Sequence, residues 1–113
     1  MPSFMNRNGS FFDYDGNAST RVVAPLTGTT VAMTGQDDDL YINPAGTLAA
    51  LTVTMPAGPM PGDVHDLHFT QIITALAVKD SAGTTITTAP TSAAVGDTVT
   101  LRYVQTVGWV KWR

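Results

Sequence analysis

The sequence predicts an all-β fold, a small antiparallel β-sandwich or barrel with an extended N-terminal arm. Three observations carry this expectation. Apolar and polar residues alternate in short runs, most plainly at Leu51-Thr52-Val53-Thr54-Met55, where Leu51, Val53 and Met55 share one face of a strand and Thr52 and Thr54 the other. Thr, Ala and Val crowd the chain, Glu is absent and Lys occurs only at Lys79 and Lys111, so β-branched residues abound and surface-helix formers are scarce. Turn signals rich in Pro, Gly and Asp recur at the spacing of a sandwich or barrel.

A chain of 113 residues suits one core rather than two. Residues 1–19 read as the arm and 20–113 as a single β-domain. The arm gathers Phe4, Phe11, Phe12 and Tyr14 with the early Arg7, without a clear period. Exposed aromatics need cover, so the arm is expected to lie on its own domain, on a neighbouring subunit or on a partner. The plainer alternative has Phe11 and Tyr14 capping this domain's own core.

Strands are expected over 20–26, 29–34, 39–43, 47–55, 63–70, 72–79, 97–105 and 108–112, with a further candidate at 84–87. The run from Pro56 to Gly62, with three prolines and two glycines, ends the fourth. In the strand after Asp97, the residues Val99, Leu101 and Tyr103 face inward and Thr98, Thr100 and Arg102 outward. The segment from Ile72 to Val78 is apolar on both faces, with Ile73, Ala75 and Ala77 opposing Ile72, Leu76 and Val78. Such a strand packs one face inside the subunit and the other against something else, which points to oligomerisation, with Ile73 at the interface. In the last strand Trp109 and Lys111 alternate with Val110 and Trp112, so one tryptophan belongs to the core and the other to an edge or interface. The expected core is Leu51, Val53, Met55, Leu76, Val78, Val99, Leu101 and Tyr103. No internal repeat is visible.

A formal charge of −3 with six scattered basic residues argues against nucleic-acid binding. There is no cysteine, hence no disulfide framework or thiol chemistry. Residues 1–7 lack the basic start and apolar run of a secretory signal, and no apolar stretch is long enough to span a membrane, so no membrane partner is expected.

His65 and His68 are the only histidines. At i and i+3 on a strand they face opposite sides, so they are not expected to share a metal. Solvent exposure is the ordinary reading of both, and a single histidine on a threefold axis the sharper one. Asp37-Asp38-Asp39 and Asp13-Tyr14-Asp15-Gly16-Asn17 read as polar turns, because a calcium loop also needs a closing Glu. Asp66 and His68, two apart, read as one polar face rather than an acid–base pair. Nucleophile-elbow, P-loop, dinucleotide-binding and zincin motifs are all missing. No catalytic residue, metal or cofactor is therefore assigned, and the chain is not expected to be an enzyme.

From Leu51-Thr52-Val53-Thr54-Met55-Pro56, through the turn ending in Gly62-Asp63, Thr74-Ala75-Leu76, Ala89-Pro90 and the ending from Tyr103-Val104 to Trp109, the second half resembles a β-module. That module recurs in small structural proteins of tailed bacteriophages, and the likeness covers about residues 47–113. It carries no catalytic residues. It implies a head decoration (cement) protein, or else a tail fibre, tailspike or neck component. Fibre proteins carry a long attachment region where this chain has only its short arm, which favours cement. The resemblance further implies a homotrimer on the capsid surface of the virion, made in the host bacterial cytoplasm and bound to the major capsid protein. Interface residues are then expected at Phe4, Arg7, Phe11, Phe12, Tyr14, Ile73, Trp109 and Trp112. From a different class, a carbohydrate-binding module would stack sugar rings on Trp109, Trp112 or Tyr41.

Overall fold

The computed structural model describes residues 20–112. They form eight strands and no helix: β1 (Thr20–Val23), β2 (Thr30–Ala32), β3 (Asp39–Ile42), β4 (Leu48–Thr54), β5 (Val64–Phe69), β6 (Ile73–Lys79), β7 (Thr98–Val104) and β8 (Gly108–Lys111). Each coincides with a strand expected from the alternation, trimmed at its ends. The candidate strand at 84–87 is instead an irregular segment with one bridge, Lys79 to Thr85.

The fold is all-β, but the expectation of antiparallel sheets needs correction. One sheet has the order β1-β3-β5-β7-β8 and the other β2-β4-β6. β1, β3 and β5 run parallel, as do β2, β4 and β6, and only the β5–β7 and β7–β8 pairs are antiparallel. The first six strands alternate between the two sheets, so each pairs with the strand two places earlier and the chain winds as a short coil. A parallel pair needs a crossover, and here the crossover is the intervening strand of the opposite sheet. Alternation reports which face of a strand is buried and is blind to the direction of its partner. Successive turns of the coil differ in length, Thr20 lying against Asp39 but Asp39 against Asp66, so no repeat shows in the sequence. Neither sheet closes into a barrel.

In-register parallel pairing stacks like-facing side chains in rows. Leu40, Leu67 and Val99 form one row of the larger sheet, with Ile42 beside Phe69 in the next. Leu51 pairs with Leu76, and Val53 with Val78, in the smaller one. All of these side chains belong to a single buried cluster that draws on both sheets. Of the expected core, seven residues are buried, whereas Tyr103 is half-buried and packs on the cluster's margin.

Ile73, expected on an outer face, is fully buried with Leu76 and Val78. Strict alternation fails here: Leu48 and Leu51, like Ile73 and Leu76, are buried three residues apart, while the β4–β6 pairing keeps one register from Leu48↔Ile73 to Thr54↔Lys79. Leu48 and Ile73, paired across the two strands, both lie inside. The outer face of this sheet is left with small side chains, Ala50, Thr52, Ala75 and Ala77, around a shallow hollow of about 280 Å³.

The free edge of β6 is covered by the segment that follows it. Ile86 N donates to Val78 O (2.9 Å) and Leu76 N to Thr91 O (2.8 Å), while Ile86, Ala89 and Ala93 close over the core. Asp80 anchors the start of this cover by accepting from the backbone amides of Ala82 and Thr84.

The β7–β8 hairpin turns through Thr106, whose φ of 68° is the one positive value among described non-glycine residues. A β-branched side chain is strained there by about 1–2 kcal/mol. Thr106→Gly is therefore expected to raise stability by about 0.5–1 kcal/mol after the entropic cost of glycine is deducted. The readout is a higher urea midpoint at unchanged slope, and a lower midpoint would mean that the turn is not strained.

Candidate functional site

The outward face of the five-stranded sheet holds the densest group of chemically capable side chains among the described residues. Parallel pairing of β3 with β5 sets Asp39 beside Asp66 and Tyr41 beside His68. Antiparallel β7 then places Thr100 across from Asp66 and Thr98 across from His68. All of these except Thr100, which is buried, are at least partly accessible.

The geometry around His68 is well defined. Nε2 lies 2.9 Å from Asp39 Oδ1, and Nδ1 lies 3.1 Å from the Thr98 hydroxyl. The Tyr41 ring stacks on the imidazole with centroids 4.3 Å apart and planes 13° from parallel. Two hydrogen-bonding contacts and a stacking contact fix both the position and the plane of the ring. Asp66 Oδ1, by contrast, is buried and has no hydrogen-bond partner. One potential ligand atom from each of Asp39, Asp66 and His68 lies within 4.8 Å of the other two.

His65 points the other way, as alternation requires, and is buried rather than exposed. Its Nδ1 is 2.6 Å from the Asp37 carbonyl, to which it donates, and its ring lies tilted 5.6 Å from that of Trp109. Trp109 in turn meets Tyr103 edge-on at 5.4 Å. The two histidines do not converge. Asp37 is a structural knot and not merely a polar turn: its carboxylate accepts from Arg21 Nε (3.1 Å), Arg21 Nη2 (2.9 Å) and the Thr34 amide (2.9 Å).

Of the expected interface residues, Ile73 and Trp109 lie in the core. Trp112 is 47% exposed, with the Arg102 guanidinium 4.8 Å above its ring. These two flank an open hollow of about 510 Å³ that Pro61, Tyr103 and Gln105 also line. Phe4, Arg7, Phe11, Phe12 and Tyr14, with the Asp13–Asn17 turn, fall outside the described residues. The three aromatics of the sugar-binding alternative are engaged in different ways: Trp109 is buried, Tyr41 is stacked on His68, and Arg102 lies over Trp112. They do not form one exposed platform.

Sequence reasoning saw Asp66 and His68 on one face but missed Asp39. The spacing of two on a strand was the available signal for the first pair. Asp39 joins them only through a pairing between strands distant in sequence. No protein-family model matches the chain, and no curated protein matches it.

Proposed function

We propose that the protein is a structural module of a virion, a decoration protein that attaches to the capsid of a tailed bacteriophage as a homotrimer. In this reading the two sheets face one another as a sandwich across the shared core, and the surface does the work. The observation that carries it is the state of the first turn of the coil. β1 and β2 each pair on one side only among the described residues, and they begin the two sheets together. An open strand edge invites association unless it is blunted by charge or proline; Thr30-Val31-Ala32 of β2 carries neither of its own, though Arg21 Nη2 meets its last carbonyl, Ala32 O, at 3.0 Å. Arg21 of β1 is committed to Asp37, and Val22 and Leu26 are largely exposed nearby in sequence. Residues 1–19 precede β1 in the chain, and their aromatics and Arg7 are of the types that supply much interface energy when buried. Three linked arms would strengthen a modest contact through effective concentration.

The same open edges suit a second reading, a fibre or tailspike component continued by another chain, since coiled β-architectures stack turn upon turn. Antibody raised against the purified chain and applied to virions from the encoding strain separates the two. Label over heads supports decoration, label at tail tips supports the fibre, and particles without label exclude both. Sedimentation of the purified chain at micromolar concentration is expected to give a trimer. Deleting residues 1–16 is expected to leave a folded trimer that no longer decorates purified shells; full occupancy by the truncated protein would move the binding surface to the β-domain.

A further inference from the structure

We infer that Asp39, Asp66 and His68 form a binding site for a divalent transition-metal cation, with one carboxylate oxygen from each aspartate and Nε2 of His68 as ligands. This goes beyond a role in virion assembly and does not depend on it. Three separate features support it. The first is the spacing of the ligand atoms. With metal–ligand bonds of about 2.0–2.1 Å in tetrahedral geometry, ligand atoms sit roughly 3.3 Å apart. Nε2 of His68 and Oδ1 of Asp39 are already 2.9 Å apart, and all three ligand atoms lie within 4.8 Å of one another.

The second is the unmet demand of Asp66. Its Oδ1 is buried without a hydrogen-bond partner, and the carboxylate beside it across the β3–β5 pair is Asp39. A buried, unpartnered carboxylate oxygen is costly, and a like charge on the neighbouring strand adds to the cost. One His68 imidazole, already directed at Asp39, does not relieve both. A cation between them would.

The third is the setting of the histidine. Metal-bound histidines commonly use their second nitrogen to donate to an oxygen that fixes ring orientation and tautomer. His68 has this arrangement ready: Nδ1 faces the Thr98 hydroxyl, the Tyr41 ring holds the imidazole plane, and Nε2 is turned to the carboxylates. One imidazole with two carboxylates suits zinc, manganese or cobalt better than calcium or magnesium, which prefer oxygen alone. Three protein ligands leave at least one position open for water or for an anionic group of a partner.

The test uses the full chain, stripped with chelator and titrated with Zn²⁺ by calorimetry and with Co²⁺ by visible absorption. One ion per chain is expected, with Co²⁺ bands that vanish in His68→Gln. Asp66→Asn is expected to weaken Zn²⁺ binding by about tenfold or more. Without metal, Asp66→Asn should melt at or above the wild-type temperature, because it removes a negative charge from beside Asp39, yet it should lose the upward shift that Zn²⁺ gives the wild type. That opposite pair of effects separates a binding residue from a structural one. Should either variant fail to fold, Mn²⁺ broadening of wild-type amide signals decides, being centred on Asp39, Asp66 and His68 if the site is real. Absence of binding at millimolar Zn²⁺ and Co²⁺, binding unchanged in both folded variants, or broadening centred elsewhere would overturn the proposal.

Discussion

Phe69→Ala is expected to destabilise the protein by about 3–5 kcal/mol, the usual cost of emptying a fully buried aromatic position. Phe69 is 1% exposed, sits beside Ile42 in its row, and its backbone accepts from Gly96 N and donates to Asp97 O. It therefore ties the core to the lead-in of β7. A chain of this length holds roughly 6–17 kcal/mol in total, so the loss is a large fraction of the whole. Rigid β-ladders on both sides limit collapse around the cavity, which favours the upper part of the range. Urea unfolding measures it directly. Val22→Ala, at a position 60% exposed, should stay within about 0.5 kcal/mol and serves as the control. A Phe69→Ala cost below about 1 kcal/mol would contradict the core described here.

Asp37→Ala is expected to cost about 2–3 kcal/mol, since hydrogen bonds to a charged group contribute more than neutral ones when little water reaches them. The Asp37 side chain is 7% exposed while Arg21 is 42% exposed, so after the substitution water re-solvates the guanidinium and takes back part of the cost. That asymmetry keeps the estimate below the figure for a fully buried pair. The damage should spread along the crossover from β2 to β3, because the Asp37 carbonyl also holds His65. Amide exchange at Thr34 and His65 should quicken. Arg21→Lys keeps the charge but not the two-nitrogen contact, and a loss of about 1 kcal/mol is expected. Equal costs for the two substitutions would mean that Asp37 acts only as the partner of Arg21.

The inward side of Val99 and Leu101 is legible because Thr98 and Arg102 mark the polar side. Leu67 and Phe69 are equally buried, but Asp66 and His68 drew attention to the polar face of β5 and its apolar face went unread. Ile73 defies the parity rule because burial in β4 and β6 changes phase together, between Leu48 and Leu51 and between Ile73 and Leu76. Tyr103 shares the inward face of β7 yet reaches the margin of the core, where it meets Trp109. In the polar group, Asp66 and His68 were visible together, while Asp39 looked like the end of an acidic turn.

Legible in the chain alone are the strand segments, the turns that interrupt them, and the inward side chains of the plainly alternating runs, such as Leu51, Val53 and Met55 or Val99 and Leu101. Side-chain alternation follows from backbone geometry within a single strand, so it survives any arrangement of the neighbours. Long-range packing sets the rest: β1, β3 and β5 run parallel, the chain crosses to the opposite sheet between them, and Leu48 and Ile73 both lie inside. It also decided that Asp39 stands beside Asp66. The physical reason is that strand direction and register are settled by which distant segments bury their apolar rows against one another. The residues that record that choice, such as Leu40 with Leu67 and Ile42 with Phe69, are too far apart in the chain for any local pattern to link them.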